Sequence, residues 1–236
     1  MIYGVEHLNY SCFYRCIRTK TDVIKLFCNE VELITYFTMM NSILSQSSPD
    51  AISQALHVLK AGGVIAAPTE TVYGLMTLWN NADGREKIYK LKHRPANKRL
   101  QMLAARIEDL SAYQLCMPPR LAAIAHAFWP GPLTVILPTK TGDTIGLRIP
   151  NHPFLLRLLQ ELQEPLAATS ANLSGESAGL DATSAIEHLD GAPDLLIDGG
   201  KTTMTLGQAS TVVSLCETSP VILREGPITL QMILDC

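Results

Sequence analysis

The 236-residue chain carries six cysteines (Cys12, Cys16, Cys28, Cys116, Cys216 and Cys236), yet no CxxC and no paired spacing. That scatter fits reduced cytosolic thiols better than disulfides or zinc. Charge is sparse: 17% of residues are Asp, Glu, Lys or Arg, against about a quarter in ordinary soluble domains. A formal net charge of -3 argues against a protein that coats nucleic acid non-specifically. No apolar run reaches the roughly 18 residues a membrane span needs. The N-terminus lacks the compact apolar segment of a cleaved signal peptide, so no membrane partner is expected and the cytoplasm is the default location. Familiar catalytic signatures are also missing. There is no GxGxxG, no HExxH, no GxSxG elbow and no His/Cys cluster with metal-ligand spacing. Gly199-Gly200-Lys201-Thr202 resembles the end of a phosphate-binding loop, but Leu195 stands where its first glycine belongs, so it reads as a turn. His57, His126 and His152 are isolated and read as packed or exposed side chains.

What is present is a large apolar fraction, 47%, enough to bury a full core in one domain. Residues 1–47 stand apart, with half the cysteines, several aromatics and no steady period; they read as an extension, poorly ordered or begun at too early a start codon. Residues 48–236 carry the domain signals. Ser48-Pro49-Asp50 places a cap and a first-turn proline before a helix with Ile52, Ala55, Leu56 and Leu59 inward, ended by Gly62-Gly63. Val64–Ala67 is a buried strand that breaks at Pro68 into the hydroxyl-rich turn Thr69-Glu70-Thr71. Further strands are expected at 100–105, 133–138, 145–150, 165–168, 195–200, 210–215 and 221–226. Helices are expected at 107–115, 119–129, 152–162, 183–189 and 228–234. Hairpins are implied near 133–149 and 210–224. The alternation lacks strict βαβ units, so the fold class is α/β with a twisted, mixed parallel/antiparallel sheet and flanking helices.

The chemistry-bearing residues are cations and hydroxyls. Arg85, Lys87, Lys90, Lys92, Arg94, Lys98, Arg99 and Arg106 cluster with Glu86 as the one acid among them. Most read as solvated surface. Lys92-His93-Arg94-Pro95 differs, because a helix ending at Lys92 lets both cations turn toward one phosphate or carboxylate. Ser170-Ala171-Asn172, at the mouth of a buried strand, offers two small hydrogen-bonding groups or an Asx turn. Arg148, inside the apolar strand IGLRIP, needs an anion, whether a protein carboxylate or a ligand.

PTETVYGL, the KHRP element, WPGPLT (129–134), LRIP (147–150), ATSANLSG (168–175), STVV (210–213) and ILREG (222–226) occur together in that order. Over residues 49 to 234 the chain closely resembles the YrdC-type threonylcarbamoyl-AMP synthases. The resemblance implies a twisted sheet with a central, basic cavity. It also implies a nucleotidyltransferase reaction: L-threonine, bicarbonate and ATP condense to threonylcarbamoyl-AMP, with Mg²⁺ carried by the nucleotide. A separate transferase complex would then modify tRNA, with direct tRNA contact a further possibility. By motif, Thr69, Arg94 and Arg148 would meet threonine. Lys92, Thr134, Ser170, Asn172, Ser210 and Arg224 would meet the nucleotide, and Lys92, Arg94, Ser170 and Asn172 would form the catalytic set. No histidine base is needed, since positioning and charge stabilisation can carry such chemistry.

Two departures from the family pattern stand out. Arg99 and Leu103 replace a proline and a histidine common after the KxR pair, and Met76 and Trp79 are bulky where small residues are usual, which would narrow the cavity wall. The chain ends soon after ILREG, as expected of the single-domain type. Rival readings are an RNA-binding module on the same fold, and a carbamoyl-transfer domain like that of hydrogenase maturation proteins.

Overall fold

The computed structural model describes residues 43–202 and 209–236. Ten strands form one sheet: β1 (Ile43–Ser45), β2 (Ile65–Ala67), β3 (Gly74–Leu78), β4 (Gln101–Leu103), β5 (Leu133–Pro138), β6 (Thr144–Arg148), β7 (Leu166–Ser170), β8 (Leu195–Asp198), β9 (Thr211–Ser214) and β10 (Val221–Arg224). The helices are α1 (Ala51–Lys60), α2 (Ala82–Leu91), α3 (Leu121–Phe128), α4 (Pro153–Leu162), α5 (Ala182–Ile186) and α6 (Leu230–Leu234), with a 3₁₀ helix at Glu108–Tyr113. Across the sheet the order is β1-β8-β2-β3-β7-β4-β6-β5-β9-β10. Pairings are mixed: β8 with β2, β4 with β6 and β5 with β9 are parallel, while β3 with β7 and β5 with β6 are antiparallel. The expected mixed sheet is present, and so are both hairpins, since β9 and β10 also pair antiparallel.

Three elements depart from the sequence reading. Ile43–Ser45 forms an edge strand parallel to β8, so the sheet begins before Ser48. The rest of the proposed extension, residues 1–42, lies outside the described residues. Gly74–Leu78, whose sequence shows no strand alternation, is a central strand between β2 and β7. At the start of α1 the N-cap position is Asp50, which makes no side-chain capping bond, rather than Ser48. The helix does end as expected, at Gly62 with φ +87°, where the left-handed turn favours glycine.

The core follows the period-2 alternation of the strands. Ile65, Ala67, Met76, Leu166, Ala168, Leu195 and Ile197 face the α1/α4 helix pair. Val64, Ala66, Leu75, Ala167 and Leu196 face α2 and α5 on the other side. This half of the sheet is covered on both faces. In the other half, Met102, Leu133, Val135, Leu137, Leu147 and Val213 pack with α3 and α6. Their alternate neighbours Gln101, Thr134, Ile136, Gly146, Arg148 and Val212 line a cavity instead. Ala168 belongs to both the α1/α4 core and the cavity wall, so the cavity occupies the same sheet face where those helices stop.

Candidate active site

The cavity has a volume of about 280 Å³ and is walled by the residues just named, with Arg94, Arg99, Ser170, Ser210 and Arg224 among the others that add to its polar surface. How these side chains reach it follows from local structure. Helix α2 is capped by the Asn81 side chain, which accepts from Gly84 N at 3.0 Å. It ends at Lys92, after which His93 takes φ +47° and Arg94 N reaches back to Tyr89 O at 2.9 Å. This left-handed exit sends Lys92 inward and Arg94 toward the cavity. The pair diverges: Arg94 lines the wall, whereas Lys92 does not.

Lys92 is 1% exposed, and all its hydrogen-bond acceptors are neutral. Its Nζ donates to Ser170 O at 2.5 Å, to Asn172 O, and to Asn172 Oδ1 at 3.4 Å. Burial, with the Arg94 guanidinium beside it adding to the effect, pushes the Lys92 ammonium down to about 8. The lysine thus ties the Ser170-Ala171-Asn172 turn to the end of α2. Asn172 spends its amide on Leu173 O and Glu176 O, at 2.7 and 2.8 Å.

Arg148 has found a protein anion. Its Nη2 lies 2.7 Å from Glu70 Oε1, with the two side chains 3% and 14% exposed. Among the described residues neither Glu70 oxygen has a hydrogen-bond donor, so the attraction to Arg148 is that of an ion pair. Arg148 Nη2 also donates to Thr71 Oγ1 at 3.0 Å, and Nε donates to Gly131 O at 3.3 Å. Thr69 does not reach the wall. Its hydroxyl donates to Val72 O at 2.7 Å and accepts from Thr71 N and Val72 N, closing its own turn.

Opposite, Thr134 Oγ1 donates to Gln101 Oε1 and meets Ser210 Oγ, each at 2.9 Å. Arg224 grips Ser210 O through Nε and Nη2, at 3.0 and 2.7 Å, and reaches Ser210 Oγ at 3.1 Å. The glycine of ILREG explains the close fit there, since a Cβ on Gly226 would sit 2.4 Å from Thr211 N. Burial, then the charges of Arg148 and Arg94, push the Arg224 guanidinium below its ordinary range. The cavity is a place where positive charge accumulates and an anion would be welcome.

Of the nine residues expected from motifs, Arg94, Thr134, Arg148, Ser170, Ser210 and Arg224 converge on this cavity; Lys92 and Asn172 brace its rim, and Thr69 stands behind Thr71. The sequence reading missed Thr71, Gln101 and Glu70. Gln101 could have been found from alternation, being the polar position two before Leu103 in an otherwise apolar strand. Met76 does not narrow the wall, because it faces the α1/α4 core, and Leu103 is a core residue of the same cluster. Trp79 lines a larger groove of about 760 Å³ with Arg85, Tyr89, Tyr113 and Asp143, which shares Arg94, Arg99, Leu100 and Thr144 with the cavity. Among the described residues, no three His, Cys, Asp or Glu side chains gather to hold a metal.

The profile of the Sua5/YciO/YrdC family, described as telomere recombination, matches residues 57–226. The chain belongs to the Sua5/YciO/YrdC family. It is 38% identical over 208 residues to the threonylcarbamoyl-AMP synthase of Bacillus subtilis, covering 84% of this chain and 59% of that one. Its structure resembles P. abyssi Sua5 complexed with L-threonine, with a TM-score of 0.72 and 35% identity, over 78% of this chain and 56% of that one. It also resembles E. coli YciO, with a TM-score of 0.71 and 26% identity, over 81% and 96% of the two chains. The chain therefore spans less than two thirds of the length of the Bacillus and P. abyssi relatives. No helix among the described residues is long and apolar enough to cross a membrane.

Proposed function

We propose that this protein is a cytoplasmic L-threonylcarbamoyladenylate synthase, a nucleotidyltransferase that consumes L-threonine, bicarbonate and ATP. The threonine amine attacks the carbon of bicarbonate, losing a proton and expelling water, to give a carbamate. A carbamate oxygen then attacks the α-phosphorus of ATP and displaces pyrophosphate. The observation that carries the reading is the convergence of Arg94, Arg148 and Arg224 on one hydroxyl-lined cavity. A carboxylate, a carbamate and a triphosphate all need such cations, and developing charge at phosphorus is stabilised by donors already in place.

In this reading Arg94 and Arg148 hold the threonine carboxylate, with Thr69 shaping the turn beneath Arg148. Thr134, Ser170, Ser210 and Arg224 hold the nucleotide. Lys92 acts through the turn it braces, and Asn172 fixes that turn's geometry. Mg²⁺ arrives on the phosphates as part of the substrate. The product, a mixed anhydride, would pass to a separate tRNA threonylcarbamoyl transferase complex. The Bacillus subtilis relative's name and the threonine complex of P. abyssi Sua5 support the assignment.

The decisive experiment measures pyrophosphate release from ATP and bicarbonate with and without L-threonine. Release that requires threonine, is weak with serine and is lost in Arg94→Ala is the expected outcome. The second reading, an RNA-binding module without catalysis, draws on Trp79, Tyr89 and Tyr113 beside arginines in the outer groove. It predicts tRNA binding and no release, and threonine-dependent release refutes it.

A further inference from the structure

Arg99 stands on the boundary between the inner cavity and the outer groove, and lines both. Its backbone is fixed from inside, since Arg94 donates through Nε to Lys98 O at 2.9 Å and through Nη2 to Arg99 O at 2.8 Å. Its side chain bridges outward. Nη1 donates to Thr144 O at 3.0 Å and forms an ion pair with Asp143, whose carboxylate also accepts from Thr144 N at 2.7 Å. The loop after α2 is thereby clasped to the β5–β6 turn across the mouth of the cavity.

The clasp is easily opened. The two side chains are 60% and 54% exposed, and ion pairs in that setting contribute little net stability. The inner cations are less free. Arg148 is matched to Glu70, Arg224 is bound to Ser210 O, and Arg94 holds its own loop. Among the described residues, Arg99 is the cavity cation whose side chain is partnered by one exposed carboxylate and one carbonyl on the facing turn.

We propose that Arg99 is a phosphate-binding residue of the synthase site, which exchanges Asp143 for the polyphosphate of the incoming nucleotide and so opens the clasp as the ligand enters. A planar guanidinium fits two phosphate oxygens at once, and a polyphosphate carries more charge than a single carboxylate, so the exchange favours the ligand. Asp143 then acts as a competitor, occupying Arg99 until an anion of higher charge displaces it. The inference rests on the synthase reading for the identity of the nucleotide, but not for the anion chemistry.

The competition gives variants of opposite sign. With saturating L-threonine and bicarbonate, Arg99→Gln raises the KM for ATP by about ten-fold, the loss of one charge-assisted contact. Arg99→Lys recovers part of it. Asp143→Asn lowers the KM for ATP by about two- to three-fold, as expected for release from an exposed ion pair. The KM for L-threonine stays within about two-fold of wild type in both, since neither change touches Arg148, and Arg94 bonds only the backbone carbonyl of Arg99. If Arg99→Gln and Asp143→Asn instead raise the KM for ATP alike, the pair is only a structural clasp and the proposal fails. An unchanged KM in Arg99→Gln overturns it equally.

Calorimetry with inorganic tripolyphosphate on the same full-length variants separates this outcome from failure of the synthase reading. Should wild type release no pyrophosphate, weaker tripolyphosphate binding in Arg99→Gln with tighter binding in Asp143→Asn upholds the anion exchange, and equal binding in all three overturns it.

Discussion

The two halves of the sheet apply one alternation rule to different ends. In the half built from β8, β2, β3 and β7, both faces are covered up to the end of β7, and most strand residues are apolar and buried. In the half built from β4, β6, β5 and β9, one face packs on α3 and α6, and the other carries Gln101, Thr134 and Arg148. The difference is where the helices stop. A sheet face that outruns its helical cover must take water, polar side chains or a ligand, and this chain places cations and hydroxyls there. The first half should therefore answer to stability measurements and the second to binding and rate.

The harshest test of that division is Glu70, because it joins both roles. Glu70→Gln strips the buried Arg148 of its counter-charge, and the expected loss is about 3–5 kcal/mol in urea unfolding. Glu70→Asp should recover part of the stability. A loss no larger than that of an exposed pair would show that solvent or another group already satisfies Arg148. Next in size is Leu158→Ala in α4, a fully buried member of the α1/α4 core. A cavity there should cost about 3 kcal/mol. The KM for ATP and L-threonine should stay at the wild-type values under conditions where the variant is folded. A change in either would mean that the covered half shapes the site through the shared wall at Ala168.

Both halves were unequally legible in the sequence. Amphipathic α4, with Phe154, Leu155, Leu158, Leu159 and Leu162 inward, could be read from spacing alone and is buried on those residues. Strand β3 could not. GLMTL shows no alternation because both of its faces are buried, and it follows a turn rich in hydroxyls, so pattern alone does not separate it from a loop. The short strand β1 was hidden for another reason: three residues are too few to show a period, and its place depends on pairing with distant β8. In the site, Arg148 announced itself as a cation in an apolar strand, but its partner Glu70 lies 78 positions earlier, a contact only the fold can bring about. Six residues that the motif resemblance singled out, Arg94, Thr134, Arg148, Ser170, Ser210 and Arg224, line one cavity. The resemblance could not tell that Lys92 is spent on carbonyls, because that depends on the left-handed exit at His93.

Lys92 sharpens the comparison through pH. Burial lowers it to about 8 from an ordinary 10.5, so the folded state holds fewer protons than the unfolded chain between those values. The penalty of burying the charge is full below pH 8 and fades as pH rises toward 10.5, so this group makes the fold more stable on the alkaline side. Activity should move the other way. A neutral amine keeps two donors for three carbonyl acceptors, the Ser170–Asn172 turn loosens, and kcat/KM should fall about ten-fold per pH unit above the transition. Rising stability with falling kcat/KM over the same interval is the expected signature. If the two fall together, general alkaline unfolding explains the loss and Lys92 is not its cause.

The smallest expected effect belongs to Ser210, and it examines the open half alone. Ser210→Ala removes the hydroxyl between Thr134 and Arg224 but leaves Ser210's backbone carbonyl, which Arg224 still grips. The guanidinium should stay in place, and the unfolding midpoint should shift little, since Thr134 keeps Gln101 as a partner. What is lost is one hydroxyl facing the cavity, and the KM for ATP should rise about three-fold, with kcat and the KM for L-threonine unchanged. A rise in the threonine KM instead would place the amino acid on the β5–β9 side of the cavity and move the nucleotide toward Arg94. That result would exchange the two subsites while leaving the fold, the cavity and its charge as described.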